Sequence, residues 1–363
     1  MNRQRLFNAL AAPLLAVGFS LVVVTIILFA FGSNVVEVFN AMAVYGTSPR
    51  SLTLMLNLAT TYYISAVAVA IGFKMNLFNI GVNGQYMLGG MCAAAVAGSL
   101  NLPGFIAIPI TILVAIAVGA AWAGVAAWLK SARGVSEVIS TIMLNFIALG
   151  VISYIIIRTN VGRAASFNVR GTEIIPESGR MVGWNLLTPS IKVYGFILVA
   201  ALIGVLYWFV LNRTVFGYDL RASGLSASAA SASGVNSKRM VVITMLISGG
   251  IAGMVGLPDL LGNDPYSYTL NFPSGYGFTG IAIALLGRNN PLGIAFGAIL
   301  WAFLDVSSQI LDIENVPREI VTIMQGVIVL AVVVAYELVR RKRVKSEQQN
   351  VGEALAQKES SAS

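Results

Sequence analysis

Histidine is absent from the 363 residues, cysteine occurs once, and only 10% of positions carry a charge. Without histidine there is no His-containing metal site and no Ser-His-Asp or Cys-His catalytic arrangement. The single cysteine, Cys92, lies in an apolar run, which excludes an internal disulfide and a cysteine cluster for zinc or iron–sulfur. A G-x-x-x-x-G-K-[ST] phosphate loop is also missing, so ATP hydrolysis by that route is closed to this chain. Soluble domains carry about 25% charged residues, and this chain falls far short of the polar surface they need. What is present instead is apolar: 57% hydrophobic residues, 36 glycines and a mean hydropathy of +0.82. The class is an all-α polytopic membrane protein.

A membrane-crossing helix needs roughly 20 mostly apolar residues. Such runs occur near 13–32, 52–73, 77–98, 104–129, 137–157, 191–211, 240–258, 276–287, 291–311 and 320–338. They predict about ten transmembrane helices, with 276–287 short and glycine-rich enough to be a broken or partial span. Placing both termini in the cytoplasm puts 16 of the 23 basic residues inside and 7 outside, as the positive-inside rule favours. Four of the outer ones, Arg158, Arg163, Arg170 and Arg180, fall in the longest loop, about 158–190, and long loops obey the rule less strictly. The net charge of +8 therefore reads as membrane orientation and not as nucleic-acid binding. Arg3 and Arg5 precede an apolar run that reaches Phe31, too long for the core of a cleaved signal, so the first helix is expected to be retained. Residues 1–340 are expected to form one transmembrane domain. Residues 341–363, continuing the basic run that opens at Arg340, are expected to be a cytoplasmic tail, basic and then disordered.

Polar residues are few inside the apolar runs, which makes them conspicuous. The 77–98 run holds five glycines and three amides, Asn79, Asn83 and Gln85. Read as one helix, it has Asn79 able to cap its start, Asn79 and Asn83 on one face, and Gln85 pointing elsewhere. Such a segment either lines a solute pathway or uses glycines and amides for tight helix contacts. The 276–287 run repeats the pattern: Gly277-Phe-Thr279-Gly280 echoes Gly81-Val-Asn83-Gly84, in the opposite direction across the membrane. Paired interrupted segments of this kind are what an inverted repeat leaves beside a pathway. Asn57, Thr60, Thr61 and Asn145 add polarity to two other spans, facing a cavity or bonding between helices. Pathway candidates are thus Asn57, Asn79, Asn83, Gln85, Asn145 and Thr279. Gly249/Gly253 and Gly293/Gly297 have the spacing that lets helices approach closely. Asp305 is read as the one acidic residue well inside a span, toward an end where solvent reaches it.

Between the sixth and seventh runs lies a stretch, about 221–236, made almost wholly of Ala, Ser and Gly. Its composition suits a flexible linker. Its alanine-rich centre, bounded by Gly224 and Gly234 and flanked by Arg213, Arg221, Lys238 and Arg239, equally suits a short helix that docks in a partner's groove.

The stretch RASGLSASAASASGV (221–235), opening with Arg221, resembles the coupling segment of bacterial ABC importer permeases, with Gly224, Ala229, Ala230 and Gly234 at its characteristic small positions. FKMNLFNIGVNGQYMLGG (73–90), GVSEVISTIMLNFIA (134–148) and GFTGIAIALLGRNNPLGI (277–294) resemble the nucleoside-uptake branch of that superfamily, which is related to ribose and branched-chain amino acid permeases. Ribose permeases carry a GGIDLSVG-like stretch where this chain has FNIGVNGQ. The coupling segment departs from the family in being serine-rich. The likeness spans roughly 10–340. It implies a non-enzymatic permease subunit of a bacterial plasma-membrane importer for nucleosides, purine nucleosides among them. Its partners would be a cytoplasmic ABC ATPase that uses the ATP, a second homologous permease, an extracellular substrate-binding lipoprotein docking on the 158–190 loop, and membrane lipid. No cofactor and no nucleic acid are expected on this chain. The competing classes are a stand-alone ion-coupled transporter, which the scarcity of intramembrane charge disfavours, and an ABC permease for a sugar or a branched-chain amino acid.

Overall fold

In the computed structural model, the residues described are 18, 19, 21–26, 28, 29, 32, 34–166, 169–311, 317, 319–331 and 334. Part of the predicted first span, the end of the last and the 341–363 tail lie outside them. The chain is mostly helical and divides into two compact units, Met1–Tyr45 with Ser307–Ser363, and Gly46–Val306. In the first unit, α1 (Val35–Gly46, its last residue in the second unit) follows helical residues at 18, 19, 21–26, 28 and 29, and Tyr45 donates to Gln309 at 3.2 Å.

The second unit holds most of the long helices. These are α2 (Pro49–Phe73), α3 (Val82–Ser99), α4 (Gly104–Arg133), α5 (Glu137–Arg158) and α6 (Phe196–Arg213). There follow α7 (Val215–Leu225), α8 (Ala227–Ala232), α9 (Ser237–Gly253), α10 (Leu257–Gly262), α11 (Tyr276–Leu286) and α12 (Pro291–Ser307). Helix α13 (Glu319–Ala331) belongs to the first unit. Among the described residues, six helical segments are long and apolar enough to cross a membrane, with α9 and α10 counted together as Ser237–Gly262. This is a multi-pass membrane architecture.

Local chemistry sets the boundaries. Ser48 accepts from the Ser51 amide at 3.3 Å and Pro49 opens α2. Gly134, at φ 69°, ends α4 after Lys130 and Arg133, whose charge suits a helix C-terminus. Lys130 then reaches Glu137 in the first turn of α5 at 2.5 Å, closing the connection. At about 1.5 Å per residue, the 11 residues of α11 reach only about half of a 30 Å hydrocarbon core.

The expected small-residue contacts are present. Helices α4 and α9 touch backbone to backbone: a Cβ at Gly119 would strike the Gly249 carbonyl, and one at Gly253 would strike the Ala115 carbonyl. Gly293 lies against Gly287, and Gly297 against Ile283 and Leu286. The 158–195 connection departs from an all-α reading. It forms two antiparallel hairpins, β1 (Arg163–Ser166) with β2 (Val169–Gly171) and β3 (Gly183–Trp184) with β4 (Val193–Tyr194). The amides of Thr172, Ile175 and Met181 donate to carbonyls of Tyr268, Tyr266 and Leu261, so this connection is stitched to the 261–269 segment.

Candidate functional site

The chain does not run straight from α2 into α3. It turns at Lys74–Leu77, with Asn76 at φ 57° and the Leu77 amide bonded to the Gly72 carbonyl at 3.0 Å, and re-enters the interior through Phe78–Ile80. Helix α3 therefore begins at Val82, inside the protein, and no side chain caps it. This corrects the single-helix reading of 77–98. Asn79 lies before the helix and pairs with Gln85, not with Asn83. Each amide NH2 donates to the other's oxygen at 2.9 Å. Asn79 Oδ1 also accepts from the Gly81 amide at 3.1 Å, and its Nδ2 donates to Ser248 Oγ at 2.8 Å. Ser248 in turn donates to the Ala68 carbonyl at 2.6 Å. Asn145 on α5 accepts from the Gly84 amide at 2.8 Å and donates to the Ile80 carbonyl at 3.0 Å. Four elements, α2, α3, α5 and α9, are thus tied at the start of α3 by buried amides. In a dry interior such a network is costly to leave half-satisfied.

The start of α11 meets the same place. Gly275, at φ 98° where an L side chain is strained, precedes Tyr276, and its amide donates to Asn83 Oδ1 at 2.9 Å. A Cβ on Gly277 would lie 2.5 Å from the Asn83 amide nitrogen. Ser65 of α2 donates to the Tyr276 carbonyl at 2.7 Å. The two glycine-marked segments echoed in the sequence are brought together, helix start to helix start. Thr279 lies farther along α11 at a half-buried position and does not join the amides.

Beside this junction stand two carboxylate–tyrosine pairs. Tyr276 donates to Asp259 Oδ2 at 2.8 Å, and Tyr62 donates to Asp305 Oδ2. Tyr62 and Tyr276 meet edge to face at 5.8 Å between ring centres, and Tyr86 stacks on Tyr276 at 5.8 Å. The expectation that Asp305 is alone inside the spans needs correcting. The span Ser237–Gly262 takes in Asp259, because Pro258 opens α10 and does not end the run. Both aspartates are partly exposed.

At the other end of α2, helix α7 packs on the turn into α3. A Cβ on Gly224 would lie 2.8 Å from the Lys74 carbonyl oxygen and from Met75 Cα. Thr244 of α9 lies 3.2 Å from Met75 Sδ. Burial and the nearby Arg221 guanidinium hold the Lys74 ammonium below its usual pKa. Arg221 donates to the Leu211 carbonyl. The rest of the Ala/Ser stretch is the six-residue α8, capped by Ser226, with Ala229 exposed, Ala230 buried and Gly234 at φ 89° after it. Asn57 lies apart from both clusters. Its amide donates to the Lys192 carbonyl and accepts from the Tyr194 amide, both at 2.9 Å, and so clasps β4. An apolar cleft of about 530 Å³ between α2, α6 and α12, lined by Tyr63, Gly204 and Trp208 among others, offers few polar groups to a polar solute.

Comparison with known proteins gives this arrangement a context. Residues 51–333 match the family described as branched-chain amino acid transport system / permease component. The guanosine ABC transporter permease protein NupP of Bacillus subtilis is 33% identical over 91% of this chain and 94% of its own. The glucose ABC transporter permease protein TsgB13 of Haloferax volcanii is 30% identical over 93% of this chain and 90% of its own. The nucleoside ABC transporter permease protein NupB of Lactococcus lactis is 28% identical over 89% of this chain and 90% of its own.

Proposed function

The chain belongs to the permease-component family of branched-chain amino acid transport systems, and on that premise we propose that it forms the translocation pathway of an ATP-driven importer of nucleosides, purine nucleosides among them. The observation that carries the cargo is the 33% identity with a guanosine permease, extending over 91% of the chain. The 30% identity with a glucose permease favours a second reading, a sugar importer.

In this proposal both termini are cytoplasmic, and about ten spans include the half-length α11 and the interrupted α2–α3 entry as the inverted pair. The segment 221–236 is the face gripped by a cytoplasmic ATPase, which uses the ATP; this chain itself takes no cofactor. A second, homologous permease completes the pathway, and the 158–190 loop receives an extracellular binding lipoprotein. Geometry supports a route for the push. Motion of Gly224 bears on the Lys74–Met75 backbone, and that turn leads within a few residues to Asn79, which is hydrogen-bonded to Gln85 and Ser248. Through Asn83 and Gly275 the displacement reaches α11. Asn83 and Asn145 then lie on the moving wall, while Asn57 holds the loop. ATP-driven motion can move a solute only by stabilising inward and outward states unequally.

The test is reconstitution in liposomes with the ATPase, the second permease and the lipoprotein. ATP-dependent uptake of labelled guanosine is expected, with none by this chain alone. Uptake of glucose but not guanosine would select the sugar reading. Gradient-driven uptake by the isolated chain would refute both and establish a secondary transporter.

A further inference from the structure

The two carboxylate–tyrosine pairs bridge α2 to α12 and α10 to α11, and their side chains take no part in the amide network. Tyr62 lies 13 residues into the 25-residue α2, about 20 Å along it, so Asp305 is held against the middle of that helix. An aspartate at such depth is costly against lipid and faces protein or a water-filled path. Neither aspartate residue is fully buried. A second observation is independent of the acids. Thr61 is fully buried, and its hydroxyl has no hydrogen-bond partner. Thr61 and Ser65 are four apart on α2 and share a face, and Ser65 bonds the Tyr276 carbonyl. The orphan hydroxyl therefore lies one turn from the start of α11, on the face that meets it. A buried hydroxyl without a partner is unfavourable and calls for one.

We propose that Asp259, Asp305 and Thr61, framed by Tyr62 and Tyr276, form a subsite on the pathway that binds the adjacent hydroxyls of the cargo's sugar. This rests on the nucleoside reading of the cargo. An ionised carboxylate has about four acceptor positions on its two oxygens, so it can receive two neighbouring hydroxyl donors at once. Tyr276 occupies one such position on Asp259. The aromatic rings flank the carboxylates and offer apolar contact to the ring of the sugar or base. Adjacent hydroxyls are the chemistry that a ribonucleoside and glucose have in common, and permeases for both cargo classes are related to this chain over about nine-tenths of its length.

The experiment compares guanosine with 2′-deoxyguanosine in the reconstituted complex, measuring KM and kcat for the wild type, Asp259→Asn, Asp305→Asn and Thr61→Val. The lipoprotein contributes to the wild-type preference, so the decisive quantity is the change in the ribo/deoxy ratio on substitution. Each aspartate variant is expected to raise KM for guanosine about tenfold or more, the scale of one hydrogen bond to a charged group, and to leave 2′-deoxyguanosine within about twofold. An unchanged ratio in all three variants, with the complex assembled, overturns the subsite. Thr61→Val keeps the side-chain shape and decides the question even if an aspartate variant does not assemble. Absence of nucleoside uptake by the wild type would instead defeat the cargo reading on which the subsite rests.

Discussion

The Asn79–Gln85 pair offers the sharpest test of the interior, because each side chain is 1% exposed and every hydrogen bond of the Gln85 side chain goes to Asn79. Asn79→Leu strands the Gln85 oxygen, the Gln85 NH2 and the Gly81 amide. Ser248 keeps its bond to the Ala68 carbonyl. A buried polar group left without a partner costs about 1–3 kcal/mol, so the single variant should lose about 3 kcal/mol or more. The double variant Asn79→Leu/Gln85→Leu removes both ends of the pair, leaving only the Gly81 amide stranded. It should therefore lose only about 1–3 kcal/mol from unpaired groups and be more stable than Asn79→Leu by about 2 kcal/mol. Reversible denaturation of the purified protein in detergent, followed by circular dichroism, measures all the corners of this cycle. Additive losses in the double variant would refute the reading of these amides as a mutually satisfied pair. So would an Asn79→Leu variant as stable as the wild type.

The proposed coupling segment, 221–236, separates two alanines that composition treats alike. Ala229→Glu, at an exposed position, should leave assembly intact while lowering uptake per ATP hydrolysed several-fold; Ala230→Glu, at a buried one, should lower the yield of folded protein as well. Retained full coupling in Ala229→Glu would remove this segment from the interface with the ATPase. Asn83→Leu strands the Gly275 amide at the start of α11, so transport should fall more than complex assembly does, measured by uptake against co-purification of partners. An unchanged rate would return Asn83 to a packing role.

Long apolar runs placed α2, α4, α5 and α6 to within a few residues, because a helix in lipid must satisfy its own backbone and composition records that need. The glycine spacing of α9 likewise read through to its contact with α4. What composition could not record is where the backbone leaves the helix without leaving the membrane. Leu77, Phe78 and Ile80 are as apolar as any helical residue, yet they form the re-entrant turn, so the hydropathy signal ran unbroken across it. The amides inside the run were the available clue, since Asn79 and Gln85 need partners that a lone helix would not supply. Asp259 escaped for a related reason: Pro258 reads as a terminator, and only the tertiary structure shows it opening α10. The short hairpins of 158–195 carry too few alternations to register, and their order comes from long-range bonds such as Asn57 to β4.

These misses share a cause that bears on function. Periodicity reports which face of an element is buried, and it is silent on pairings between elements far apart in the chain. Asn83 with Gly275, Ser65 with Tyr276 and Tyr62 with Asp305 span 192, 211 and 243 positions of sequence, respectively. Such pairings place polar groups where the elements are broken, and broken elements are tolerated only beside protein or water. The residues hardest to pair from sequence therefore gather in one region: Asn83 with Gly275 and Ser65 with Tyr276 where the starts of α3 and α11 face each other, and Tyr62 with Asp305 beside them.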